Sequence, residues 1–393
     1  MSDTQTFVLT TAREGEGPLI DELAMHGLTG TPTGHGAVHL RGSLEDAYRA
    51  VLWTRIASRV LRPLGIADAT DGDTLYESCR RAPWHEHLDP GRTFAIYVTG
   101  ANAELRHPHY TALRVKDAIV DHFRDRTGSR PDVSREDPDV QLHVRVNDHD
   151  AIISVDLAGA PLHQRGKGRD GGPAPIRETL AAAILMIADW PRLSQQGVPL
   201  VDPFCGSGTF LREAAGYALD RAPGLDRPHW GHEGWLGHDP DVWARLLDEA
   251  RQRAKDELPA PILGYDIDKT QVRRARQNLS AYDLAHLIPV VRHPFDKVTV
   301  PEVRTELPRG LLVSNPPYGE RLGDEPEMVR LWRALGDDLR HRWLGWTAWL
   351  IGGSKELAGE LGLRPKRRIP LRNGPLDARL VQVPIHTEAP REE

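Results

Sequence analysis

The sequence has few cysteines and no long apolar run. Cys79 and Cys205 are the only two cysteines and form no C-x-x-C pair, which argues against a disulfide framework and a cysteine-based zinc site. The N-terminus has no cationic start followed by an apolar stretch, and no run of about 18 apolar residues occurs. These absences predict a soluble, cytoplasmic protein with no membrane segment and no metal.

Lysine is also scarce, since 43 of the 50 cationic residues are arginine and 7 are lysine. Arginine suits bidentate contacts with phosphates and bases, but a genome-wide composition bias produces the same excess. The formal net charge of −6 argues against a generally basic nucleic-acid binder.

The first 160 residues alternate between short strand patterns and helix patterns, which predicts a small α+β domain. Ser43 with Asp46 three residues later predicts a helix N-cap. The predicted strands are 6–12, 36–42, 59–67 and 93–100, with a hairpin over 141–159 that turns at Asp148 and His149. The predicted helices are 16–28, 43–56 and 111–126.

From residue 176 onward the pattern changes to longer helices and continuous apolar strands, after a Gly- and Pro-rich linker at 161–175. Strands alternating with helices predict a doubly wound, mainly parallel α/β sheet. A Trp-, Gly- and His-rich stretch at 223–239 is typical of an inserted loop. The predicted strands are 197–203, 261–268, 287–292, 310–318, 346–352 and 378–385, and the predicted helices are 176–188, 209–219, 240–257, 269–281 and 326–342.

The first chemical signal is Asp-Pro-Phe-Cys-Gly-Ser-Gly-Thr at 202–209, where a predicted strand ends and a helix begins. Gly206 and Gly208 allow a tight turn and close approach of a ligand, although a simple turn remains the alternative. Asp202, four residues before the first glycine, favours a cationic or amine-bearing ligand over a pyrophosphate. No G-x-x-x-x-G-K-[ST] loop occurs, and Cys205 replaces the first glycine of a G-x-S-x-G elbow, which argues against NTP hydrolysis and a serine nucleophile.

Two further acids follow predicted strands. Asp266, in Gly-Tyr-Asp-Ile-Asp at 264–268, is a candidate acceptor for ribose hydroxyls, and Asp268 is a candidate helix N-cap. A capping role for Asp266 remains open as well. Asp296 is a weaker candidate for a contact with an adenine amino group.

The strongest signal is Ser-Asn-Pro-Pro-Tyr at 314–318, which closes an apolar strand. The two prolines fix the backbone direction and remove two N–H donors, which leaves carbonyl groups as acceptors. The Asn315 side-chain oxygen and the Pro316 carbonyl are suited to accept the hydrogens of a planar exocyclic amine, with Tyr318 stacked on its ring. Catalysis by such a loop depends on positioning and electrostatics without a strong base.

These segments resemble the class I AdoMet-dependent amino-methyltransferases. The whole chain is similar to the THUMP-domain ribosomal RNA methyltransferases of the RlmL type, which make N2-methylguanosine in 23S ribosomal RNA. The segments that carry the resemblance are DPFCGSGTFLREAA (202–215), WGHEGWLGHD (230–239), SNPPYGERL (314–322), NGPLD (373–377), SLEDAYRAVLWTRIASRVLRPLG (43–65) and YTALRVKDAIVDHFR (110–124).

The resemblance implies a Rossmann-like methyltransferase domain at 176–393, preceded by a ferredoxin-like region at 1–65 and a THUMP RNA-binding domain at 66–160. It implies S-adenosyl-L-methionine as cofactor and structured RNA as partner, with a monomer favoured. The implied catalytic residues are Asn315, Pro316, Pro317 and Tyr318. The implied cofactor-binding residues are Thr179, Asp202, Pro203, Phe204, Cys205, Gly206, Gly208, Thr209, Asp266, Ile267 and Asp296.

Other functions remain open at this stage. Loops of this kind also occur in DNA adenine-N6 and protein glutamine-N5 methyltransferases, and transfer RNA guanine is the second candidate RNA substrate. A ribosome-assembly factor whose methylation is secondary is an alternative of another class. Some relatives fuse a second methyltransferase that makes N7-methylguanosine; because the chain stops at Glu393, we expect that activity to be absent.

The charge is unevenly divided along the chain. Residues 1–160 hold 17 Lys or Arg against 24 Asp or Glu, a net charge of −7, and residues 161–393 have a net charge of +1. We therefore expect RNA to contact small groups of cations and not a broad basic surface. The candidates are Arg165, Lys167 and Arg169 in the linker and Lys366, Arg367 and Arg368 near the C-terminus.

Overall fold

The structure is a computed structural model that describes residues 4–165, 176–302, 309–318, 325–373 and 376–386. Its contacts divide the chain into two units. The first comprises Met1–Gln164 and Arg227–Glu249, and the second comprises Arg165–Asp226 and Ala250–Glu393. A segment from the middle of the sequence is thus grouped with the N-terminal residues.

The first unit is an α+β structure built on one sheet of eight strands, with the order β2-β3-β1-β4-β8-β7-β5-β6. Its elements are β1 Gln5–Thr10, α1 Glu16–Met25, β2 Gly30–Pro32, β3 Ala37–Gly42, α2 Leu44–Trp53, β4 Arg59–Asp68, α3 Gly72–Arg80, β5 Thr93–Thr99, α4 Pro108–Thr127, β6 Asp132–Val133, β7 Val140–Val146 and β8 Asp150–Asp156. The predicted N-cap is confirmed: Asp46 N–H donates to Ser43 Oγ at 3.2 Å, and Ser43 N–H donates to Asp46 Oδ2 at 2.7 Å.

The segment 227–249 packs closely on the first unit through its glycines. A Cβ at Gly231 would lie 2.2 Å from the Asp156 carbonyl oxygen, and one at Gly234 would lie 2.1 Å from that of Asp139. His232 is fully buried, and its Nδ1 lies 2.9 Å from the Leu157 carbonyl oxygen. The inserted stretch is therefore a packed part of this unit.

The second unit contains a sheet of seven strands with the order β11-β10-β9-β12-β13-β15-β14. Its elements, with α8 starting in the first unit, are α5 Glu178–Ile187, α6 Trp190–Gln195, β9 Leu200–Asp202, α7 Thr209–Ala218, α8 Pro240–Arg253, β10 Ile262–Asp266, α9 Lys269–Ser280, β11 Val290–Arg292, β12 Leu311–Ser314, α10 Glu325–Arg342, β13 Thr347–Gly352, α11 Lys355–Gly359, β14 Arg367–Asn373 and β15 Leu376–Pro384. Strands β9 to β13 pair in parallel, and β15 is antiparallel to both β13 and β14.

Helices cover both faces of this sheet. The strands therefore bury side chains on both sides. On one face, Val313 of β12 shares a buried cluster with Ile184 of α5 and Phe210 of α7. On the other, Leu312 shares a cluster with Trp332 and Leu335 of α10. The predicted doubly wound fold is confirmed.

Candidate active site

Three adjacent parallel strands end in polar side chains at one edge of the sheet. Asp202 ends β9, Asp266 ends β10 and Ser314 ends β12, and β9 pairs with both of the others. The carboxyl ends of parallel strands are the usual position of ligand sites in open α/β sheets. The fold therefore brings together the three segments that the sequence predicts to form one site.

Asp202 is buried and is held by two donors. Phe204 N–H donates to its Oδ1 at 3.2 Å, and the Ser314 hydroxyl donates to the same oxygen. Burial raises the pKa of Asp202 to about 7, although the hydrogen bond from Ser314 opposes this. Ser314 was not predicted as a site residue, and its position directly before Asn315 was the available signal.

The glycine loop is joined to Asp266. Gly206 N–H donates to Asp266 Oδ2 at 2.9 Å, and Asp268 N–H donates to Asp266 Oδ1 at 2.9 Å. Gly206 and Gly208 have φ values of 52° and 84°, in the region where side chains are strained. A Cβ at Gly206 would meet nothing within 4 Å, so the loop borders open space there. Asp268 caps α9 through Thr270 N–H at 2.7 Å, which confirms that prediction.

The remaining predicted cofactor residues follow β9, β10 and β11, except for Thr179, which is in α5. Cys205 is buried, and its N–H donates to the Tyr265 carbonyl at 2.8 Å. Phe204 stacks on Phe295 with ring centroids 5.6 Å apart, directly before the exposed Asp296. The other members of this predicted set are the buried Pro203 and Thr209, the half-buried Thr179 near the start of α5, and Ile267, which is 64% exposed.

The loop after β12 presents an unsatisfied acceptor. Asn315 Oδ1 is buried and has no hydrogen-bond partner among the residues that the structure describes. The Pro317 carbonyl accepts Trp332 Nε1–H at 3.1 Å, so Pro316 supplies the candidate carbonyl of this loop. The Tyr318 ring is buried and packs so closely on Gly353 that a Cβ there would lie 2.9 Å from Tyr318 Cδ2. A buried acceptor without a donor suits an amine ligand.

Sequence comparison identifies the domains that carry this geometry. Residues 165–382 match the family described as RMKL-like, methyltransferase domain. The chain belongs to the RMKL-like methyltransferase family. Residues 69–156 match the THUMP domain, and residues 6–61 match the RlmL ferredoxin-like domain.

Individual relatives cover nearly the whole chain. It is 43% identical over 388 residues to ribosomal RNA large subunit methyltransferase K/L of Syntrophotalea carbinolica, and 39% identical over 391 residues to that of Ectopseudomonas mendocina. These matches cover 98% and 99% of this chain and 54% of each relative. The chain thus spans about half the length of the curated relatives it matches.

Solved structures show the same fold. SMU.472, a putative methyltransferase complexed with SAH, matches with a TM-score of 0.86 at 27% identity, covering 99% of this chain and all of that one. A predicted N6-adenine-specific DNA methylase from Listeria monocytogenes matches with a TM-score of 0.82 at 29% identity, covering 97% of this chain and 96% of that one.

The linker cations of this RMKL-like chain require a correction. Arg165 is 4% exposed, and its guanidinium pairs with the buried Glu213 at 3.2 Å, so it is not available on the surface for RNA. Glu213 also pairs with Arg212 at 2.9 Å, and Arg212 pairs with Glu178 at 3.3 Å. The position of Arg165 after a Gly- and Pro-rich boundary gave no sign of this buried network. Lys167 and Arg169 lie outside the described residues.

The C-terminal cations are exposed and lie on the edge strand of the sheet. Lys366, Arg367 and Arg368 are at or next to the start of β14, the edge strand. Through β15, Arg368 is in register with Leu350 of β13, which pairs with Ser314 of β12, so these cations are level with the carboxyl end of β12 and three strands away from it. The Arg367 guanidinium lies 5.6 Å from the centre of the Trp349 ring.

Two absences concern the described ranges alone. They contain no group of three or more His, Cys, Asp or Glu residues that would hold a metal ion. No helix in those ranges has the length and apolar character needed to span a bilayer.

Proposed function

We propose that this chain transfers a methyl group from S-adenosyl-L-methionine to the exocyclic N2 amine of a guanosine in 23S ribosomal RNA. The observation that carries the proposal is the buried Asn315 Oδ1, which has no donor in the described part of the chain and lies directly after Ser314, the partner of Asp202. The ribosomal substrate is supported by the names of the relatives, and the choice of guanine N2 rests on the family resemblance.

The cofactor fits the polar groups at the strand ends. Asp202 places a carboxyl group where a cationic amine binds favourably, and Asp266 is suited to accept ribose hydroxyls from a position beside the glycine loop. The open space beside Gly206 leaves room for the ligand next to the backbone. S-adenosyl-L-methionine supplies an electrophilic methyl group on a sulfonium when it is bound.

The protein activates the amine by accepting its hydrogens. A guanine amine is a poor nucleophile because its lone pair is delocalised into the ring. Asn315 Oδ1 and the Pro316 carbonyl oppose that delocalisation when they accept both N–H hydrogens, and the fixed direction of these acceptors stabilises the positive charge that develops on nitrogen. The target base leaves its stack to enter the loop, as in other base-modifying enzymes.

Asn315 variants separate chemistry from cofactor binding. We expect Asn315→Ala to lower the methylation rate of 23S ribosomal RNA by about 100-fold or more, since one preorganised group is lost. The dissociation constant for S-adenosyl-L-methionine should stay within about twofold. Asn315→Asp keeps an acceptor oxygen and should retain more activity than the alanine variant. Full activity of Asn315→Ala, measured by transfer of a radiolabelled methyl group, would contradict the proposal.

An Asp266 variant tests cofactor binding, whereas the Asn315 variants test methyl transfer. Asp266→Ala removes the candidate acceptor for ribose and the partner of Gly206 N–H, so we expect cofactor affinity measured by calorimetry to fall about tenfold or more. Asp283→Ala is the control, because Asp283 is an exposed acid of the same unit outside the strand ends. Unchanged affinity of the Asp266 variant would argue against this cofactor position. The cytoplasmic location of the protein is part of the same proposal.

A further inference from the structure

One face of the N-terminal sheet carries exposed side chains across four neighbouring strands. Thr99 of β5 pairs with Arg145 of β7, Arg145 pairs with Ile152 of β8, and Ile152 pairs with Ile66 of β4. Directly paired residues point to the same side of a sheet, so these four side chains form one row. Ile66 is 73% exposed, and Thr99 and Arg145 are also exposed.

Tyr97 stands beside this row on the same face. It is two residues before Thr99 on β5 and is 42% exposed. The Arg59 guanidinium lies 5.4 Å from the centre of the Tyr97 ring and is itself paired with the buried Asp156. Tyr97 is thus an aromatic surface with a cation fixed next to it, an arrangement that favours stacking of a nucleobase.

His143 adds polar groups beneath the exposed row. It pairs with Tyr97 across the sheet and is only 6% exposed. Its Nδ1 is buried without a hydrogen-bond partner in the described ranges, while its Nε2 lies 3.3 Å from Thr99 Oγ1. Burial, with Arg59 and Arg145 nearby, lowers the pKa of His143 to about 4, so the ring is neutral at physiological pH. A neutral imidazole has one donor and one acceptor, and the Nε2 contact orients the exposed Thr99 hydroxyl.

Arg145 supplies the charge for a backbone phosphate. It is exposed and forms no salt bridge within the part of the chain that the structure describes. Residues 1–160 carry a net charge of −7. Arg145 is therefore an exposed positive charge in a region that is negative overall. Phosphate contacts supply affinity, and aromatic stacking holds unpaired bases.

We propose that this surface, formed by Ile66, Tyr97, Thr99, His143, Arg145 and Ile152 and here called the sheet platform, binds a single-stranded segment of the RNA substrate. A base stacks on Tyr97, the polar edge of a base faces the Thr99 hydroxyl that His143 orients, and a phosphate contacts Arg145. An open sheet face with exposed aromatic and cationic side chains suits splayed, unpaired bases better than the regular backbone of a duplex. The platform rests on the proposed function, because it assumes that the substrate is RNA.

Binding of a defined RNA probe tests the platform in the full chain. The probe is a fluorescein-labelled single-stranded RNA of about 12 nucleotides, compared with the same sequence as a duplex, and binding is followed by fluorescence anisotropy. We expect Tyr97→Ala to weaken single-strand binding about fivefold or more, because one stacking contact is lost. Arg145→Ala should weaken binding and reduce the slope of log Kd against log salt by about 0.7.

Matched variants in the same unit serve as controls. Tyr110, which is 46% exposed on α4, and Arg126, which is exposed on the same helix, supply Tyr110→Ala and Arg126→Ala. Both should bind the probe like the unchanged chain. Tyr97→Phe keeps an aromatic ring and should restore most of the affinity lost in Tyr97→Ala, which separates stacking from a folding defect.

The outcomes distinguish the platform from the catalytic proposal. Unchanged RNA binding by Tyr97→Ala and Arg145→Ala, equal losses in the control variants, or a preference for the duplex would each overturn the platform. Loss of binding with unchanged cofactor affinity and a raised KM for RNA would support it. Absence of methyl transfer by the unchanged chain would instead refute the proposed function, whatever the platform variants do.

Discussion

At the scale of single residues, the candidate site contains one buried carboxyl group, Asp202, with a raised pKa. Burial raises the pKa of Asp202 to about 7, and Ser314 and Phe204 hold its Oδ1. In the proposed cofactor position, we expect the ionised form to attract the cationic amine of S-adenosyl-L-methionine and the protonated form not to do so. We therefore expect cofactor affinity to depend on pH near neutrality.

We predict that cofactor binding weakens as pH falls below about 7, up to about tenfold per pH unit, and levels off above that value. The reason is that Asp202 must lose a proton before it pairs with the cationic ligand. Calorimetry between about pH 5.5 and 8.5 measures the profile. Asp202→Asn should remove the dependence, whereas the cap variant Asp268→Asn should keep it. A profile unchanged by Asp202→Asn would contradict the assignment.

The buried ion pairs give a second residue-scale prediction. Glu213 is 1% exposed and pairs with both Arg165 and Arg212, so Glu213→Ala leaves two buried guanidinium groups short of a partner. We expect the free energy of unfolding to fall by about 3 kcal/mol or more, measured by urea denaturation. The control is Asp337→Ala, which breaks an exposed pair with Arg340 and should cost less than about 1 kcal/mol. Similar losses in both variants would argue against the network.

The site residues differ in how far sequence could predict them. The NPPY loop and the two acids each follow an apolar strand. Because the carboxyl ends of parallel strands lie at one edge of a sheet, their closeness could be predicted from the sequence. Ser314 was missed because a serine at a strand end is common in turns. Arg165 was assigned wrongly because a cation beside a flexible sequence resembles a surface residue, and its partner Glu213 is 48 positions away.

At the scale of secondary-structure elements, the packing partners of the segment 227–249 could not be predicted from its own sequence pattern. The Trp-, Gly- and His-rich stretch 223–239 predicts a loop, and the structure packs its residues 231 and 234 against β8 and the loop before β7. Close approach of two backbones explains why glycine stands at 231 and 234. No periodicity within the segment identifies the partner strands.

We predict that Gly231→Ala destabilises the protein by about 1 to 3 kcal/mol, because the new methyl group would lie 2.2 Å from the Asp156 carbonyl oxygen. Gly17→Ala is the control. A Cβ at Gly17, in α1, meets nothing within 4 Å, so this variant should be neutral or slightly stabilising. Thermal unfolding measures both. Equal stability of the two variants would show that the backbones are not in close contact.

Elements with a clear hydrophobic period were predicted, and short or edge elements were not. The strands 59–68 and 93–99 and the helix 108–127 agree with their sequence patterns to within a few residues. The edge strand β14 was missed because Pro370 and four arginines or lysines at 366–372 are atypical of a buried strand. Helix α3, capped by Asp71, was missed because it is nine residues long and buries only Gly72, Leu75 and Cys79, too few for a clear hydrophobic period.

At the scale of the whole molecule, the charge distribution bears on how the proposed RNA substrate is bound. The chain carries a formal net charge of −6, and residues 1–160 alone carry −7. This net charge argues against a broad basic surface, so we expect RNA affinity to depend on few phosphate contacts and on stacking. The arginine at 145 and the exposed cations at 366–368 are local exceptions.

We predict a shallow salt dependence of RNA binding. With about two to four phosphate contacts at about 0.7 each, the slope of log affinity against log salt should lie between about −1.4 and −2.8. Anisotropy titrations of the single-stranded probe at several salt concentrations measure it. A slope steeper than about −5 would indicate a large electrostatic footprint that this charge distribution does not provide.

The product of the reaction tests the central claim most directly. The chain is incubated with S-adenosyl-L-methionine and unmodified 23S ribosomal RNA, in parallel with transfer RNA and DNA, and the nuclease digests are analysed by mass spectrometry. We predict N2-methylguanosine in the 23S digest and none when Asn315→Ala replaces the unchanged chain. N6-methyladenosine, methylation confined to transfer RNA or DNA, or no methylated nucleoside would contradict the claim.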